Sequence, residues 1–446
     1  MLERSDYVIP YFNNHYRFDK PPFIYWCQTL SYRVFGENDF AARFPSAVAA
    51  ALTAMILFAW GRRIRNERLA WWAALIFTLC LQTFMHAKAA VADMWLVCFM
   101  TAAYWAGYEL LRDRLRGEDP TAASFVAPER RWWWIFYCSL VLAFLTKGPV
   151  GWLPLVTIAA TKFFLPDLKL NRRFLFLTGI LFTLSLVALW GIPALLRSNG
   201  EFFAVGIGKH VVSRSFIAME GHGGGSLWAY LGMLPFYFVA IFFTFAPWSL
   251  KLPWLAQKLW RGRDPLDNYL LAGIIVVFLV FTLVKTKLPH YILPAFPLLA
   301  LLLAKALVDL PGAQRFFRRA TVSAIAVAFF IVVVSPIAGR YCPSRQLMRQ
   351  AQADLTHEME FGATEYREPS LVWYFRRYVD GWMTELNDEG VRPFMAKPGA
   401  RFAIMRTESA RKKFPALPPG WKSYRARGIN SAKGAWVDLT LILKPS

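Results

Sequence analysis

Charge is scarce in this sequence. Asp, Glu, Lys and Arg make up 18% of 446 residues, against about 25% in ordinary soluble domains. That shortage argues against a single soluble enzyme. Cysteine is also sparse, with five residues at positions 27, 80, 98, 138 and 342. None forms a CxxC pair and three fall inside apolar runs, so a disulfide framework is not implied. No GxSxG, Walker loop, GxGxxG or HExxH stands in a supporting context. No short internal repeat or low-complexity tract appears. Residues 1–18 lack the charged and apolar regions of a signal peptide.

What the chain has in abundance is apolar surface. Apolar residues make up 56% and the mean hydropathy is +0.33. Long apolar runs alternate with short polar breaks, the pattern of a polytopic membrane protein. Ten spans are expected, at roughly 43–61, 68–86, 94–111, 132–146, 149–165, 174–196, 226–249, 268–285, 290–308 and 320–338. The fourth and fifth meet at Lys147-Gly148-Pro149 and read as a tight helical hairpin.

The formal net charge is +22. Nucleic-acid binding would be one cause, but the loops supply another. Alternate loops carry 20 Lys and Arg against seven in the loops between them, with the same sense at every turn. The positive-inside rule then makes the basic loops cytoplasmic and removes the need for a nucleic-acid partner. Both chain ends fall outside. Residues 1–42 are expected to form an outer loop with an interfacial helix, 43–340 the transmembrane domain, and 341–446 a small outer α/β domain. An outside N-terminus this polar leads us to expect an upstream transmembrane helix.

Polar residues then sort by outer loop. They are Asp19 and Lys20; Lys88 and Asp93; Lys147; Lys209, His210, Arg214 and His222; and Lys285, Lys287, His290 and Tyr291. Every outer loop offers a cation although that face is poor in them. Converging Lys and Arg suit a phosphate, so Lys20, Lys147, Arg214 and Lys287 are candidate anion ligands. Snorkelling to lipid headgroups is the plainer alternative. In "FDKPPFIYW" two prolines stiffen the chain and extend Lys20. The aromatic stretch after them reads as an interfacial helix. Asp93 starts a helix, where capping is its ordinary role. Asp19 with His210 would be an N/O metal pair.

The motifs "FDKPPFIYW", "VFGENDFAARFPSAVAA", "AVADMWL", "TKGP", "KHVVSRSF" and "VKTKLPHYILPAFP" follow one another in order. Together they resemble glycosyltransferase family 39, and within it the bacterial aminoarabinose transferases of lipid A, relatives of protein O-mannosyltransferases. The resemblance implies the all-helical polytopic fold called GT-C, with interfacial helices and a small outer α/β domain. It implies transfer of a sugar from a polyprenyl (undecaprenyl) phosphate carrier to lipid A, another glycan or a protein, at the periplasmic side of a bacterial inner membrane. By the same resemblance Lys20, Arg214 and Tyr291 contact the carrier phosphate. Asp19 and His210 hold a divalent metal, zinc. Asp93 and Lys147 match the "DMWL" and "TKG" positions. The family's presumed base, an Asp after its first helix, has no counterpart here, and Asp93 is the outer-loop carboxylate left to substitute. A catalytically inactive relative that binds a lipid-linked sugar is therefore the second expectation. A transporter fits less well, because the spans are nearly free of charge.

Overall fold

The computed structural model describes residues 1–116, 129–206, 227–364, 366, 368–430 and 435–445. They pack as two units. One comprises residues 1–10 and 16–328, the other residues 11–15 and 329–446.

The first unit is helical. Pro21 and Pro22 precede the helix Phe23–Phe35, which buries Ile24 and exposes Leu30, Val34 and Phe35. The helix forms where the aromatic stretch predicts one, and it leaves these apolar side chains uncovered. Asn38 caps the helix Asp39–Ile64 by accepting from the Ala41 amide at 2.9 Å. Asn66 does the same for Glu67–Thr78 through Leu69, at 3.0 Å. These two helices approach closely at Gly61, where a Cβ would stand 2.6 Å from Ala70 Cα.

Helix Asp93–Arg116 lies at the centre of this unit. From Ala106 to Leu111 every residue is buried, so no face of that stretch meets solvent or lipid. Its neighbours are the helices Arg130–Lys147 and Pro265–Leu283, the second joined to it by the Tyr269 hydroxyl on the Tyr104 carbonyl at 2.7 Å. The hairpin expected at Lys147 forms. Gly148 takes φ 73°, the left-handed region that suits glycine. The chain then returns, so that a Cβ on Gly151 would lie 2.6 Å from the Ala143 carbonyl carbon.

The span count differs from ten. Among the described residues six helices are long and apolar enough to cross a membrane, or eight if two bent pairs each count as one. The 68–86 span bends by 69° between Thr78 and Leu81, and the 226–249 span by 113° between Thr244 and Trp248. Residues 131–163 form one apolar stretch that contains the hairpin. Helix Asp93–Arg116 is not among the six. Being enclosed by protein, it has no lipid-facing surface that must be apolar, and it carries Asp93, Glu109 and Asp113.

One end of this unit is laced with ion pairs. Arg63 forks onto Glu109 at 2.5 and 2.9 Å. Arg173 forks onto Asp113 at 2.5 and 2.6 Å. Lys305 reaches Asp267 at 2.6 Å. Arg63, Asp113 and Arg173 come from the basic loops, and helix Asp93–Arg116 runs from this end to the one that holds the candidate site.

The second unit carries a five-stranded sheet. The strands are β3 (Glu360–Ala363), β4 (Met383–Glu385), β5 (Arg401–Arg406), β6 (Lys422–Asn430) and β7 (Ala435–Lys444), in the order β4-β3-β5-β7-β6. β3 is parallel to β4 and β5, and β7 is antiparallel to β5 and β6. Along β5, Phe402 and Ile404 enter one core while Ala403 and Met405 enter another. That is the period-2 alternation of a sheet covered on both faces. The expected α/β character of residues 341–446 is present. A short hairpin, β1 (Tyr11–Phe12) and β2 (His15–Tyr16), turns at Asn13-Asn14 with φ 50° and 66°. The Asn13 side chain donates to the Met383 carbonyl at 2.7 Å and accepts from its amide at 2.9 Å.

Candidate functional site

The site is built at the ends of four segments of the helical unit. The first is the "FDKPP" corner. Phe18 is buried, and Phe23 packs edge-on against Trp95 and Phe99 at 5.2 and 5.0 Å. The corner is thus clamped to the first turns of helix Asp93–Arg116. Between those anchors Lys20 donates to the Asp19 carbonyl at 3.1 Å. Asp19 pairs with Arg17 at 3.0 Å.

The second and third segments meet in an ion pair. Asp93 is the first residue of its helix and Lys147 the last of its own. Each therefore sits at the helix end whose dipole favours its charge. Lys147 Nζ lies 2.5 Å from Asp93 Oδ1, with both side chains largely buried. A carboxylate held this way is a poor base, because protonating it would leave the ammonium unpaired. Asp93 Oδ1 is thus engaged by Lys147.

The fourth segment is the turn Pro289–Ala295. Lys147 Nζ lies 5.0 Å from the Tyr291 ring centroid, a cation–π distance. His290 Nε2 lies 3.9 Å from Asp93 Oδ1, and Phe23 holds the Lys20 corner against Trp95 near the start of the same helix. So Lys20, Asp93, Lys147 and Tyr291, far apart in sequence, converge here.

Lys287 behaves differently. Its ammonium donates to the carbonyls of Phe281 at 3.0 Å, Val284 at 2.6 Å, and Thr282. An ammonium has three protons and all three are used. Burial lowers its pKa from the usual lysine value. In this arrangement Lys287 closes the end of helix Pro265–Leu283 and offers no proton to a ligand. His210 and Arg214 lie outside the described residues, so Asp19 is the half of the expected metal pair that can be placed.

Sequence reasoning gave His290 no role and passed over His86. The two rings stand 4.9 Å apart, beside Asp93. A search for histidines at the outer ends of spans would have found both.

Known proteins resemble this chain. A family model described as dolichyl-phosphate-mannose-protein mannosyltransferase matches residues 19–192. An undecaprenyl phosphate-alpha-4-amino-4-deoxy-L-arabinose arabinosyl transferase of Aeromonas hydrophila is 30% identical over 329 residues, 71% of this chain and 56% of its own length. An uncharacterized protein of Aquifex aeolicus is 30% identical over 304 residues, 68% of this chain and 64% of its own length. The crystal structure of ArnT from Cupriavidus metallidurans bound to undecaprenyl phosphate matches with a TM-score of 0.74 at 20% identity, over 99% of this chain and 91% of that one. This is an aminoarabinose-transferase-like GT-C chain. It spans about half the length of the curated relatives it matches. The fold match takes in residues of both the helical unit and the sheet-bearing unit, since it covers nearly the whole chain.

Proposed function

We propose that this GT-C chain serves sugar transfer from an undecaprenyl-phosphate carrier to a phosphate-bearing glycolipid such as lipid A, on the periplasmic side of a bacterial inner membrane. The observation that carries the reading is the convergence of Lys20, Lys147 and Tyr291 around Asp93, at the end of the helical unit opposite the basic loops. A glycosyl phosphate must shed an anionic leaving group. Fixed cations aimed at that charge lower the barrier most where water is excluded. In this proposal Lys20 and Arg214 grip the carrier phosphate, and Tyr291 borders it. Lys147, held by Asp93, keeps its charge facing the same space. Asp19 and His210 are proposed to hold zinc, which when bound supplies Lewis-acid polarisation of a phosphoryl oxygen.

The proposal is tested with the full chain in nanodiscs, titrated with undecaprenyl phosphate. Lys20→Ala is expected to weaken binding by about tenfold or more, the loss of one charge-assisted contact. Unchanged affinity would remove Lys20 from the phosphate. Incubation with the sugar-charged carrier and lipid A then reads transfer. Binding without turnover would recast the chain as a carrier-binding relative.

A further inference from the structure

Three metal-competent side chains meet where nothing so far assigns a metal. His86 lies in the last turn of the helix Leu81–Ala87, Asp93 opens the next helix, and His290 lies in the turn Pro289–Ala295. One ligand atom from each lies within 4.8 Å of the other two. We propose that His86, Asp93 and His290 form a site for a divalent transition ion of the zinc class, distinct from the Asp19–His210 pair.

The donor set supports it. Two imidazoles and one carboxylate suit zinc and its neighbours, and three protein ligands leave a position open for water or an anion. A tetrahedral ion about 2.0–2.2 Å from each donor needs the donors about 3.4 Å apart. His290 Nε2 and Asp93 Oδ1 are already at 3.9 Å, so side-chain rotations of about an ångström complete the cage. The carboxylate is buried while both histidines are partly exposed, which gives an ion a path in. A further residue orients a ligand. Gln82 Nε2 lies 2.9 Å from His86 Nδ1, and the opposite amide orientation would accept from Nδ1–H and turn the Nε2 lone pair to the ion.

The groups facing the site also set its strength. Lys147 holds Asp93 Oδ1 at 2.5 Å, and its charge opposes a cation at that oxygen. Lys147 is therefore a built-in competitor, and removing its charge should tighten the site.

The test uses the full chain carrying His210→Gln, which disables the other pair, stripped by chelator and titrated with zinc alone. The expected result is one zinc per chain with two imidazoles in its X-ray absorption spectrum. Adding His290→Gln should reduce this to one imidazole or abolish binding, while thermal unfolding without zinc shows the variant folded. Adding Lys147→Met should tighten zinc binding by about tenfold. No zinc in the His210→Gln chain, or zinc with at most one imidazole, would overturn the site. So would an affinity that Lys147→Met leaves unchanged, because the ion would then not share Asp93.

Discussion

Asp93 and Lys147 are a buried pair whose members depend on each other. Truncating one leaves the other charged and unpaired, at a cost of about 3–5 kcal/mol. Asp93→Asn and Lys147→Met are each expected to lower the unfolding midpoint, and the double variant to recover part of the loss. A double-mutant cycle by chemical denaturation in detergent reads this, and additive losses would show that the pair is not coupled. Lys20 and Asp93 were legible as candidate residues, since "FDKPP" and "DMWL" mark them in sequence. That Asp93 meets Lys147 and His290 was not legible. Those contacts join positions 54 and 197 residues apart in the chain.

At the scale of elements, close approaches decide the geometry of the site. Gly151 lies against the Ala143 backbone with no room for a Cβ. Gly151→Val is expected to destabilise by about 1–3 kcal/mol and to push Lys147, at the head of the hairpin, away from Asp93. Carrier binding should weaken along with stability, and a variant of parental stability and affinity would show that the hairpin can widen freely. In the sheet-bearing unit Asp438 accepts from Arg425 and from Arg427 at 2.8 Å, and from Thr407 at 2.6 Å. The Arg425 guanidinium foremost holds its carboxyl well below the usual carboxylate range. Its folded pKa being depressed, its stabilisation is present above the unfolded value of about 3.9 and lost as pH falls below that. Asp438→Asn should therefore be less stable than the parent at pH 7, with the gap narrowing toward pH 3. Thermal unfolding of the two chains across that range checks the sign.

For the whole molecule the charge count predicts the loop at residues 162–173 inside and residues 197–206 outside. In spheroplasts of a chain whose native cysteines are replaced, Glu201→Cys is expected to react with a membrane-impermeant maleimide. Lys169→Cys should react only after permeabilisation. The reverse labelling would invert the topology and move the site to the cytoplasm.

Hydropathy by itself determined the helical membrane character, because the bilayer acts on each segment independently, and charge asymmetry set the expected sidedness of the loops. Motif order likewise made the GT-C likeness readable. Tertiary structure decided the rest. It set which helix could carry charge, since enclosure removes the demand for a lipid-facing surface at Ala106 to Leu111. It sent the Lys287 ammonium to a helix end rather than to a ligand. It tied Asn13 to Met383 across 370 residues, and gathered His86, Asp93, Lys147 and His290 into one cluster. Local pattern does not encode such meetings, because they depend on where helix ends come to rest after the whole unit has packed.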